Sequence, residues 1–238
     1  AVNADDDCGH GTAMCGELSA PRCTDGNACG VAYNCNLIAC RAAEDVYIDA
    51  SKEVKGVSDA FTTAADDATV KITSMSMGRI TNSNQIGDAI RYASGKGKLM
   101  FCAGGTSFSW SAGWFGVIFP ASMPEVQAIT GVKDKPDDLT ACADCHKGSQ
   151  IDFVIVMEKT GAGTHAVTTA TSGDQPTTVG GSSVATSTAA GIAALVWSRF
   201  PTYTREDVIN KLVTTAGSYP TKTKKYGWGI INADAATN

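Results

Sequence analysis

Positive charge is scarce and scattered in this 238-residue sequence, where 19 Lys and Arg face 24 Asp and Glu for a formal net charge of −5. There is no basic stripe or tail, so a nucleic-acid partner is not expected. Long apolar runs are missing as well. The longest, Ala189 to Trp197, falls well short of the roughly 18 residues of a membrane span. Repeats, low-complexity tracts and linker-like stretches are absent, which argues against several domains. The length suits one sizeable domain covering residues 1–238. Histidine is rare: only His10, His146 and His165 could supply an imidazole.

Cysteine is not rare. Nine of them suggest an oxidising, extracytoplasmic compartment. Cys15, Cys40 and Cys102 lie among apolar or small neighbours and read as buried. Cys8, Cys23, Cys29, Cys35, Cys142 and Cys145 lie in Gly-, Asp- and Asn-rich stretches and could form up to three disulfides. The chain begins with Ala1, not Met, which fits a processed or a trimmed N-terminus.

Apolar runs alternate with helical spacing. Strands are predicted at 36–40, 70–77, 98–103, 127–132 and 151–156, and helices at 83–96, from about Ser183 to Phe200, and after Thr204. Thr204 to Asp207 resembles a capping box. This alternation predicts an α/β fold with a mainly parallel sheet.

Two stretches could carry chemistry. Near the start stands Asp7-Cys8-Gly9-His10-Gly11-Thr12-Ala13-Met14-Cys15-Gly16, with a histidine between glycines. Far along stands Gly180-Gly181-Ser182-Ser183-Val184-Ala185, two glycines leading into a serine where a helix begins. A helix N-terminus offers unpaired N–H groups and the positive end of the dipole, which suits an oxyanion forming beside that serine. By itself the serine also fits as an ordinary cap. His10 precedes Ser183 and no histidine follows it. That disfavours the α/β-hydrolase order and leaves the order Asp, His, Ser.

At this point the chain resembles the subtilisin-like serine proteases, the subtilase family. His10 to Gly16 is similar to HGTHVAG, and Gly181 to Ser187 to GTSMAxP, with Ser187 where proline is usual. Gly30-Val31-Ala32-Tyr33-Asn34 resembles GVAPNA, and Ser74-Met75-Ser76-Met77-Gly78 resembles NMSLG. Phe119-Pro120-Ala121-Ser122 and Tyr226-Gly227-Trp228-Gly229 resemble the family's YPAS and YGxG. The resemblance implies a subtilisin-like three-layer α/β fold and a serine endopeptidase with an acyl-enzyme mechanism. His10 would be the base and Ser183 the nucleophile. A peptide or protein substrate would lie extended against Ser76, Met77 and Gly78 on one side and Ala103, Gly104 and Gly105 on the other.

Two departures from the pattern matter. The family's triad Asp precedes the histidine by a few dozen residues, and this chain has nine; Asp5, Asp6 and Asp7 are expected in a solvated loop, with ion binding the lesser alternative. The family's oxyanion asparagine aligns with Gly105, so Thr106, Ser107 or Ser109 would have to reach in. Losing the triad carboxylate costs on the order of 10⁴ in turnover. Losing an oxyanion donor costs about 10²–10³. Three readings stay open: a protease cut from a longer precursor, with a short N-terminal chain bringing the Asp; a peptide-binding pseudoprotease; and a peptide ligase or macrocyclase. No cofactor or metal is expected. Cys142-Ala143-Asp144-Cys145-His146 matches the c-type haem attachment pattern, but a disulfide is the expected use of these cysteines. His165 is expected in a loop without catalytic role. Trp110 and Trp114 could grip an apolar substrate side chain or cover the core.

Overall fold

The computed structural model describes residues 6, 9–22, 29–107, 116–134, 139–142, 144–159, 163–164, 166–168 and 177–238. Asp5, Asp7, Cys8, Cys23, Ser109, Trp110, Trp114 and His165 lie outside the described residues.

Four strands form a parallel sheet: β1 (Ile72–Met75), β2 (Leu99–Ala103), β3 (Gln127–Asp134) and β4 (Phe153–Lys159), paired in that order. The short β5 (Gly163–Thr164) joins β4 antiparallel, and β6 (Ala166–Thr168) pairs with β7 (Thr177–Val179) in a separate ribbon. Of the helices, α1 (His10–Ser19), α4 (Gly181–Arg199) and α5 (Arg205–Thr215) share one core with Leu99, Phe101, Ile129, Phe153 and Ile155 of the sheet. A short α6 (Ala233–Thr237) packs there too. On the opposite face, α2 (Ser51–Asp66) and α3 (Asn84–Gly95) share a second core with Met100, Cys102, Ala128 and Val154. The alternation of partners along β2, Leu99 and Phe101 to one side and Met100 and Cys102 to the other, is the pleat at work. Both faces of the sheet are covered, so its strands read as continuous apolar runs. The three-layer expectation is met.

Local sequence explains the boundaries. The Ser83 side chain accepts from the Ile86 amide at the start of α3. Thr204 and Asp207 cap each other's backbone at the start of α5, the expected capping box. Helix α4 is apolar and small-residued nearly all round, with Val184, Ala185, Ala189, Ala190, Ala193 and Val196 buried, as a central helix must be. Gly191 is needed where α4 meets the loop after α1, since a Cβ there would come within 2.8 Å of Val31.

One predicted strand fails. Residues 36–40 form no ladder and are exposed, Leu37 at 43% and Ile38 at 60%. The physical reason is a missing neighbour. The following residues do reach the sheet, where the Ile48 amide donates to Gly78 O at 2.9 Å and the Gly78 amide to Val46 O at 3.2 Å. Upstream of that point, residues 35–46 splay away from β1 and leave a groove of about 1140 Å³. Cys40 is therefore exposed, against expectation, whereas Cys102 is buried with its thiol pushed up to about 12 by desolvation.

Phe153 is fully buried between β3 and α4. Phe153→Ala is expected to cost about 3–5 kcal/mol, as large-to-small changes in a packed core do. Urea unfolding of the two proteins measures it.

Candidate active site

The site lies at the C-terminal edge of the parallel strands, where the start of α4 meets the ends of β1 and β2. Ser183 is in the first turn of α4, half-buried. Its hydroxyl donates to Ser76 O at 3.4 Å, and the Ser76 hydroxyl donates back to Ser183 O at 2.8 Å. The amides of a helix's first turn have no partner within the helix, so the Ser183 N–H is available as a donor. Of the predicted residues Ser76, Met77 and Gly78, Ser76 is hydrogen-bonded to Ser183 in both directions. Gly78 must be glycine, because a Cβ there would come within 2.5 Å of the Ile118 side chain and 2.8 Å of Phe119 O.

His10 opens α1, which packs along α4: Ala13 and Met14 share a core with Val184 and Ala185, and Thr188 donates to the Glu17 carboxylate at 3.1 Å. No His10–Ser183 hydrogen bond is formed among the described residues. Burial, the largest influence, pushes His10 below the ordinary histidine value, and the negative charges of Asp6 and Asp45 partly offset it. Asp6 corrects the expectation of a solvated loop. Its carboxylate accepts from the Gly9 amide at 2.9 Å and the Thr12 amide at 2.6 Å, and so caps the start of α1. Asp45 was not singled out from the sequence. It comes near His10 because residues 46–48 pair with Gly78, a non-local contact with no local signature.

On the β2 side, Ala103 and Gly104 are buried at the strand end. The Gly104 amide donates to Ile129 O at 2.7 Å, and Gly104 O accepts from Ile118 at 3.0 Å. The Gly105 amide donates to the Ser182 hydroxyl at 3.2 Å, and Gly105 O accepts from His146 at 2.9 Å. These backbone groups are committed inside the fold, so a substrate strand could use them only by exchanging such bonds. Gly105 has φ 119°, and a Cβ on it would come within 2.5 Å of His146 Nδ1. An asparagine at 105 would thus point into the protein, not at the serine. The side chain that does face the start of α4 is Thr106, whose Oγ1 accepts from the Ser182 amide at 2.9 Å.

Cys142 and Cys145 form a disulfide, which leaves neither thiol for a haem. It closes a loop beneath the site: the Ser107 amide donates to Asp144 O at 2.9 Å, and the Ser107 hydroxyl meets His146 Nε2 at 2.8 Å. His146 is buried, and desolvation holds it below its ordinary value too.

The groove beside β1 reaches this site: Asp6, His10 and Asp45 are among its lining residues, together with β1 and residues 35–46. The Thr73 hydroxyl oxygen on β1 is buried without a hydrogen-bond partner.

Comparison with known proteins finds relatives along the whole chain. The family model described as subtilase family, peptidase S8, matches residues 1–229. Alkaline elastase YaB of Bacillus sp. (strain YaB) is 28% identical over 235 residues, covering 99% of this chain and 57% of that protein. A thermostable alkaline protease of Halalkalibacterium halodurans is 28% identical over 232 residues, covering 98% of this chain and 58% of its own length. The chain thus spans little more than half the length of these curated relatives. Among solved structures, sphericase superposes with a TM-score of 0.72 at 23% identity, over 95% of this chain and 78% of that one. The epidermin leader peptide processing serine protease of Staphylococcus aureus gives 0.78 at 18% identity, over 99% and 64%. At these identities the superpositions establish the fold.

Because His10 and His146 are both depressed in the folded state, the unfolded chain takes up protons first as pH falls below the ordinary value of 6.5. The stability this contributes is complete above that pH and is lost below it as pH falls through the folded values. Urea unfolding should therefore show a less stable protein at pH 5.5 than at 7.5. Asp6→Asn should lower the His10 pKa further, since it removes an anion that favours the imidazolium, and NMR titration of the ring reads the shift.

Proposed function

Since the chain belongs to the subtilase family, we propose that it is a serine endopeptidase acting through an acyl-enzyme on Ser183. The observation that carries this is the placement of Ser183 in the first turn of α4, hydrogen-bonded to the end of the strand expected to line the substrate. Ser183 Oγ attacks the scissile carbonyl carbon while His10 takes its proton. His10 then gives that proton to the departing amine, and water repeats the sequence to free the acid. A base must start neutral, and burial of His10 favours the neutral ring near pH 7. The Ser183 amide stabilises the oxyanion, aided by the positive end of α4.

The orienting carboxylate is supplied, on this reading, by an extended segment from outside residues 1–238 seated in the groove beside β1. Two features support it: the outer edge of β1 faces the groove, and His10 is among the residues that line it. An added strand would pair that edge and cover exposed Leu37 and Ile38. We read the protein as active outside the cytoplasm, where the Cys142–Cys145 disulfide persists.

A peptide-binding pseudoprotease is the second reading, favoured by Gly105, which has no side chain to donate and whose Cβ direction is blocked by His146. A fluorophosphonate probe with intact mass spectrometry separates the two. The protease reading expects one adduct, lost in Ser183→Ala and His10→Ala, and a labelling rate about 10³–10⁴ higher when the Asp-bearing segment is present. No adduct in either form leaves the pseudoprotease.

A further inference from the structure

We propose that Thr106 is a positioning residue for Ser183, acting as a long-range cap on the first turn of α4; this rests on the reading of Ser183 as nucleophile. Helices with exposed first-turn amides commonly borrow an oxygen from their own N-cap side chain. Helix α4 cannot, because its N-cap is Gly180. The oxygen comes instead from Thr106, just past the end of β2. Thr106 Oγ1 accepts from the Ser182 amide at 2.9 Å and lies 2.8 Å from the Ser182 hydroxyl, which itself accepts from the Gly105 amide at 3.2 Å. Two hydroxyls and two amides thus close a ring across the junction of strand and helix.

The ring constrains the residue immediately before Ser183. Gly181 takes φ 84°, and a Cβ there would come within 2.9 Å of Thr106 Oγ1, so the threonine sits directly over the turn. The other side of the 105–107 loop is pinned in turn. Gly105 O, the Ser107 amide and the Ser107 hydroxyl bond to His146, Asp144 and the His146 ring, on the loop that the Cys142–Cys145 disulfide closes. Thr106 therefore transmits a fixed platform to Ser182, and through the peptide link sets the direction of the Ser183 amide and hydroxyl. This places the hydroxyl needed at the site one residue later than the Gly105 alignment suggests, and gives it a backbone-holding task.

Thr106→Val keeps the shape and removes the oxygen, and Thr106→Ser keeps the oxygen. Hydrogen–deuterium exchange at residues 181–184 should rise about five- to tenfold in Thr106→Val, the loss of one hydrogen bond, and return in Thr106→Ser. Fluorophosphonate labelling should slow by a similar factor in the maximal rate, with the half-saturating probe concentration unchanged, and recover in Thr106→Ser. Unchanged exchange in Thr106→Val, a rise spread evenly over all of α4, or failure of Thr106→Ser to restore the first turn would each overturn the proposal. If the unsubstituted protein takes no label even with the Asp-bearing segment present, the protease reading fails while exchange at 181–184 still decides the role of Thr106.

Discussion

Everything about the site depends on the burial of α4 through the middle of one core. Its small residues let it approach β1, β2, β3 and β4 closely while α1, α5 and α6 pack around it. A helix held this way has no freedom to slide, so its first turn is delivered to one place, the C-terminal edge of the parallel strands. There the unpaired amides of the helix start and the ends of β1 and β2 converge. The chemistry proposed for Ser183 would therefore draw on a position that the core fixes, not on a loop that local residues must hold. The cost is that the junction between strand and helix has to be satisfied by residues from elsewhere, which is why Ser76 reaches Ser183 O and Thr106 reaches the Ser182 amide.

The same core accounts for what the sequence made legible. Strands β2, β3 and β4 are covered on both faces, so their apolar runs stand out, and the ends found differ from those expected by one to three residues, with β3 and β4 running further. Helix α3 and the capping box of α5 announce themselves by serine and threonine caps. Helix α2 was missed, although Val54, Val57, Phe61 and Ala65 recur at helical spacing and all meet the second core. Its charged and small residues diluted the signal. Residues 36–40 misled for the opposite reason. Their composition is that of a buried strand, but burial needs a neighbour, and a strand's apolar pattern cannot report whether the neighbour is there. At the site, Ser183, Ser76, Met77 and Gly78 could be read as motifs because they are local. Asp45 and the His146 ring under Gly105 could not, since each acts on a residue far away in sequence, and Thr106 could be named only as a candidate oxyanion donor, not as the acceptor for the Ser182 amide.

The electrostatics of His10 tie these threads together. A general base must be neutral before the attack and stably charged after it. Burial provides the first condition and opposes the second. Asp6 and Asp45 both favour the charged ring, but their combined pull is weaker than the desolvation, so the ring stays depressed. Asp6 is also committed to the amides of Gly9 and Thr12, which share its charge. In the proposed turnover, stabilising the imidazolium would therefore call for a further anion beside these two. The groove beside β1 opens onto the ring, and a strand continuing the parallel sheet there would end at the same edge as β1 and β2 do. A carboxylate at the end of that strand would meet His10 from the side that its own chain leaves open, and would complete both the sheet and the base with one segment.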